Sequence, residues 1–148
     1  MNVSKVVVVK PQAEPYVEEL DDSHDAMTAL FHENGLGSMS PPDITIIETK
    51  HDFEHDYIIA AVSEDGAMEY GLPGNRKVDE VVIAGIFAVM KFEQACGFSR
   101  PVSLTDEEIA HYIKKFKTPQ QFVIRYVDGS NVYIDRKDYE RFNDDCSM

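Results

Sequence analysis

The order of apolar and polar residues divides the chain into short runs, most of them strand-like. Val6 to Val9 is a continuous apolar run within Lys5–Lys10, too continuous for an exposed edge, and Pro11 ends it. Tyr16 to Leu20 offers a second short strand after Pro15, so the two predict an opening hairpin with a loose turn. Ile44 to Glu48 and Tyr57 to Val62 predict two further strands joined by a polar connection, His51 to Asp56. Glu64-Asp65-Gly66 then turns the chain towards Ala67 to Tyr70. The longest run, Val81 to Met90, is ten residues rich in Val and Ile. That is too short to span a bilayer as a helix. Its β-branched content predicts a central strand buried on both faces. Gly85 in its middle marks a bulge or a close backbone approach. The stretch leading into it, Gly71 to Arg76, reads as a loop turned by Pro73 and Gly74, and Gly97 to Pro101 reads as another.

Helical spacing occurs twice at length. Ala26, Met27, Leu30 and Phe31 share one face, with Asp22 or Ser23 as N-cap and Asn34-Gly35 as a left-handed C-cap. Leu36 to Pro42 is loop, held extended by Pro41-Pro42. The second helix has the clearest start signal: Thr105 caps it and Glu108 can return the bond as a capping box. Leu104 can staple to Ile109, and the inner face is Ile109, Tyr112, Ile113 and Phe116. Lys114, Lys115 and Lys117 sit where the helix dipole favours cations, and Thr118-Pro119 stops the helix. Phe122 to Val127 and Asn131 to Ile134 flank Asp128-Gly129-Ser130 as a hairpin. Asp135 caps a short final helix carrying Tyr139 and Phe142, and 143–148 should fray. The class expected is α+β: a mostly antiparallel sheet with two main helices, then a C-terminal hairpin and short helix. At 148 residues the chain suits one compact unit, with a core over 1–117 and the hairpin and short helix over 118–148. Such a chain buries roughly 70% of its unfolded surface and needs no staple.

Charge changes the picture more than composition does. Residues 11–70 hold fifteen acids and a single base, Lys50, whereas the remainder holds twelve acids and thirteen bases. One stretch therefore carries the whole excess behind the net charge of -13. Direct nucleic-acid binding is not expected, because phosphates would be repelled. A host protein with a basic surface is a plausible partner, and Glu18, Glu19, Asp21, Asp22, Asp52, Glu54 and Asp56 are the candidate contacts. The alternative is a solvated surface that keeps the protein soluble. Cys96 and Cys146 make neither a zinc pattern nor a disulfide framework, which suits a reducing cytoplasm. The apolar part of the N-terminus is too short for a signal peptide, and no membrane segment is expected.

Candidate chemistry is sparse. His51 and His55, four residues apart, would share a zinc ion if the segment were helical, but Asp52 stands where the metalloprotease pattern has Glu. A solvated loop is the simpler reading, so no metal and no cofactor are expected. Cys96 reads as core filling and His111 as a boundary histidine. Asn75 and Arg76, in the loop entering the apolar run, are the candidate ligand residues. Arg presents a planar fork to phosphate or carboxylate. The competing role is architectural, with Arg76 pairing with an acid or bonding loop carbonyls.

Four motifs carry a family resemblance: Val6 to Pro11, Leu72-Pro73-Gly74-Asn75-Arg76, Ile83-Ala84-Gly85, and Ser103-Leu104-Thr105-Asp106-Glu107-Glu108-Ile109. In this order they resemble the "domain of unknown function 3846" family over about residues 3–117. The acidic insert at Lys50 to Asp56 and the segment after Pro119 depart from its pattern. The resemblance implies an accessory product of a phage or mobile element acting in a bacterial host cytoplasm, and supplies no catalytic residue. The expected function is thus a small acidic non-enzymatic protein that binds a host protein, in the manner of an anti-defence protein or DNA mimic. Two alternatives stay open: a binder of an anionic small molecule such as a nucleotide through the Asn75-Arg76 loop, and a metal-dependent enzyme at His51 and His55.

Overall fold

A computed structural model describes residues 3–21, 45–47, 52–60, 73–79, 81–95 and 98–140. The helix expected around Ala26 to Phe31, the strand at Ala67 to Tyr70, and His51, Cys96 and Cys146 lie outside them. Strands dominate: β1 (Val3–Val9), β2 (Tyr16–Asp21), β3 (Thr45–Ile47), β4 (Asp56–Ala60), β5 (Gly74–Val78), β6 (Val81–Ala84), β7 (Phe87–Ala95) and β8 (Phe98–Val102) precede a helix, α1 (Asp106–Lys115). A hairpin of β9 (Phe122–Val127) and β10 (Ser130–Asp135) follows. The architecture is a mostly antiparallel sheet with few helices, as the succession of hairpins in the sequence predicts.

The main sheet has the order β2-β1-β7-β4-β3, with β8 also pairing β7. β7 organises it. Phe87 to Lys91 pairs along its length with β4, while Phe87 to Val89 pairs on the other edge with β1 and Lys91 to Ala95 with β8. β1 and β8 thus follow one another along the same edge of β7, and the chain leaving β8 is tied to β1 by Leu104 N–H donating to Lys5 O. Val6 to Val9 are each 0% exposed, so β1 is buried on both faces. Val7, Val9, Ile58, Phe87 and Val89 meet Tyr112 and Phe116 of α1 on one face, whereas Val6, Val8, Ile59, Ala88 and Met90 form a second cluster.

The capping box of α1 forms as read, with Glu108 N–H on Thr105 Oγ1 and Glu108 Oε1 accepting from Thr105 N–H. Residues 136–140 enter the final helix, with Asp135 Oδ1 accepting from Lys137 N–H. Asp128 and Gly129 both have positive φ, 49° and 88°, which closes the last hairpin with a two-residue turn.

Three local expectations are corrected. Val81 to Met90 is two strands, because Gly85 at φ 71° bends the chain out of one sheet and into another. β6 folds back on β5, and β7 enters the main sheet. Gly74-Asn75-Arg76 is not loop but the first part of β5. Gly97 to Pro101 likewise contains most of β8, where Pro101 is tolerated because, among the described residues, only β7 pairs with that strand. The pull on Gly74 comes from packing: a Cβ there would lie 2.7–2.9 Å from the Phe122 side chain. Gly74 is the point where the C-terminal hairpin rests on the rest of the protein.

Gly74→Ala should therefore destabilise the protein by about 1–3 kcal/mol through overpacking. In denaturant melts, Phe122→Ala should cancel much of that penalty in the double variant. Additive losses would separate Phe122 from the effect.

Candidate functional site

Asn75 and Arg76 are held inside the protein, 0% and 2% exposed. Asn75 Nδ2 donates to Val9 O at 2.9 Å and Gly85 O at 2.8 Å, joining the end of β1 to the Gly85 turn. Arg76 spends all its donors internally. Nε and Nη2 both donate to Phe116 O, at 3.2 and 2.9 Å; Nη2 also reaches Ala13 O, and Nη1 reaches Asn75 O and Oδ1. Phe116 is the C-cap of α1. The guanidinium thus closes the negative end of the helix. Among the described residues no carboxylate pairs with it, and burial lowers its pKa. The reading of these two side chains as direct ligand groups is corrected on this geometry: they are architectural, because no donor is left to offer.

Next to Arg76 the structure opens a cleft of about 940 Å³ between the end of α1, β5 and the C-terminal hairpin. Five basic residues line it, Arg76, Lys77, Lys115, Arg136 and Lys137, against two acids, Asp135 and Glu140. Both acids are engaged. Asp135 caps the final helix and accepts from Gln120 Nε2, while Glu140 Oε1 accepts from Arg136 Nε at 2.9 Å. Arg136 Nη1 donates to Gln121 Oε1. That leaves Arg136 Nη2 and Lys137 Nζ as donors with no partner among the described residues. Chemically, the cleft can hold an anionic group. Sequence reading missed it because its bases come from separate segments: the end of α1, β5 and the start of the final helix.

The acidic positions do not gather on one face. Glu18, Glu19 and Asp21 lie on the edge strand β2. Asp52 is committed to α1, where His111 Nε2 stands 2.8 Å from its carboxylate and Lys115 Nζ donates to the same oxygen. Burial would raise the Asp52 pKa, but these two hydrogen bonds together hold it below the ordinary carboxylate value. Asp56 is 2% exposed, which corrects its reading as a partner contact. Glu54 stays exposed, with His55 Nε2 at 3.5 Å. Asp22 and His51 are not among the described residues, and no group of three or more metal-ligating residues is found among those that are. No helix of the described residues is long and apolar enough to cross a membrane.

Arg76→Ala should cost at least about 2–3 kcal/mol, since it strands the buried carbonyl of Phe116, frees the part-buried one of Ala13 and leaves a cavity. Arg76→Lys keeps the charge but not the fork, and should fall between wild type and alanine in thermal melts. A variant as stable as wild type would return Arg76 to the surface role.

Compared with known proteins, the chain matches no family model, no curated protein and no solved structure.

Proposed function

We propose that this protein is a non-enzymatic binder of an anionic small molecule, seated in the basic cleft beside Arg76. The observation that carries the reading is the convergence of five basic side chains on one cleft in a chain of net charge -13. Its volume is within the range of small-molecule sites. Basic groups around a concave wall of low dielectric raise the local concentration of anions. Arg136 Nη2 and Lys137 Nζ are the contacting donors, whereas Arg76 contributes charge from behind the wall. This moves the site from the Asn75-Arg76 pair to its neighbours.

Binding of a basic host surface is the weaker reading, because Asp52 and Asp56 are spent on α1. We carry the resemblance to phage and mobile-element accessory proteins, and with it a bacterial cytoplasm, as part of the same proposal. In the same proposal, the helical spacing of Ala26, Met27, Leu30 and Phe31 gives the fold its second main helix.

Calorimetric titration of the full chain with ATP, pyrophosphate and inorganic phosphate at low salt tests the proposal. At least one should bind, and its affinity should fall as salt rises. Charge reversal of both exposed bases, Arg136→Glu with Lys137→Glu, should weaken that binding at least tenfold, about 1.4 kcal/mol, with little change in melting temperature. Absence of binding across the panel, or binding indifferent to the double reversal, rules out the cleft as the site.

A further inference from the structure

A second feature of the fold is independent of the cleft. Under the middle of α1 four polar side chains meet, three of them buried and the fourth, Lys91, 26% exposed. Glu108 and Tyr112 are one helical turn apart and face the sheet, buried to 3% and 4% exposure. Asp56 and Lys91 face them as cross-strand partners on β4 and β7. Tyr112 Oη donates to Asp56 Oδ2 at 3.0 Å, and Lys91 Nζ donates to Glu108 Oε1 at 3.1 Å. Glu108 Oε1 also accepts from Thr105 N–H. Two buried oxygens are then left without a donor, Asp56 Oδ1 and Glu108 Oε2. Lys91 brings the two carboxyl groups to one place: it is the cross-strand neighbour of Asp56 and the hydrogen-bond donor to Glu108.

We infer that Asp56 and Glu108 share one proton between Asp56 Oδ1 and Glu108 Oε2, and that this proton latches α1 to the sheet. With Asp56 as the acid, its hydroxyl donates to Glu108 Oε2 while Oδ2 still accepts from Tyr112. Both orphaned oxygens are thereby satisfied. With both groups ionised, two buried carboxylates would face one ammonium, Lys91, and two acceptors would stay unmet, a costly arrangement in low dielectric. Of the other titratable groups, Asp52 acts on Tyr112, and it binds His111 and Lys115 on the outer side of α1. None of these supplies a donor to the orphaned oxygens.

The proton belongs on Asp56 because Glu108 already has Lys91 and Thr105 as donors. Burial, followed by the Glu108 carboxylate, pushes Asp56 up to about 7. Burial also opposes ionisation of Glu108, yet hydrogen bonds from Asp56, Thr105 and Lys91 hold it at about 2. Burial and the Asp56 charge raise Tyr112, which stays a phenol and a donor. For Asp56, raised above its ordinary 3.8, the stabilisation is full below that value and is lost as pH rises to about 7. For Glu108, held below its ordinary 4.5, it is full above that value and is lost as pH falls to about 2. The pair therefore contributes most near pH 4, and its hold on α1 weakens towards neutrality.

Carbon-13 NMR of the side-chain carboxyls in the full-length wild-type protein reads the proton directly. Asp56 should titrate with a midpoint near 7, and a midpoint in the ordinary carboxylate range overturns the inference. Asp56→Asn makes the donor permanent, since its amide can donate to Glu108 while its carbonyl accepts from Tyr112. Between about pH 5 and about pH 8 the wild type should lose stability to denaturant while Asp56→Asn loses less; parallel slopes overturn the latch. Should Asp56→Asn fail to fold, Glu108→Gln decides instead: removing the neighbouring charge should lower the Asp56 midpoint by at least about one pH unit, tenfold in proton affinity. An unchanged midpoint rejects a shared proton.

Discussion

The guanidinium of Arg76, donating twice to the carbonyl of Phe116, is the interaction on which the arrangement of the elements depends. A buried cation is costly unless its donors are all met. Here the five N–H groups meet carbonyl oxygens and the Asn75 amide rather than a carboxylate. The partner charge is spread over the end of α1, whose last carbonyls carry the negative pole of the helix. The same side chain reaches Ala13 in the β1–β2 connection, and its neighbour Asn75 fastens Val9 to Gly85. Two adjacent residues of β5 thereby tie the helix, the first hairpin and the turn between β6 and β7 together.

That arrangement separates two properties that are usually found together in a ligand-binding arginine. The donors of Arg76 are spent on the fold, yet its charge is not cancelled by a nearby acid among the described residues. In the proposed site, its field from behind the cleft wall adds to Lys77, Lys115, Arg136 and Lys137, while contact is left to exposed donors. The acidic excess of residues 11–70 is used differently. Part of it decorates the β2 edge, and part is drawn into α1, where Asp52 and Asp56 hold the outer and inner sides of the same helix.

Helix α1 is consequently held in three chemical ways. Arg76 closes its end, an ion pair through Asp52 holds its outer face, and a carboxyl pair lies beneath it. The Arg76 contacts do not titrate in the physiological range, whereas the carboxyl pair does. Lys115 links the Asp52 contact to the cleft, so the position of the helix and the shape of the cleft are set by the same residues.

Several features were legible because their causes are local. The valine run of β1, the capping box at Thr105 and Glu108, the hairpin at Asp128-Gly129-Ser130 and the Asp135 cap each depend on neighbours in sequence, and the succession of hairpins indicated an antiparallel sheet. What failed depended on residues far apart. Pro73-Gly74 carries turn residues, but Gly74 is there because Phe122 packs on it from 48 positions away. The apolar run through Gly85 has no polar break, and only its positive φ divides it into strands of two sheets. Nothing in the sequence around Arg76 distinguishes an exposed binding side chain from a buried one. That choice was made by the end of a helix forty residues later, whose free carbonyl needed a donor. Local sequence placed β1, β2, α1 and the last hairpin. The pairing of buried charges and the gathering of bases into a cleft were decided only by tertiary structure, because both require groups that the chain brings together last.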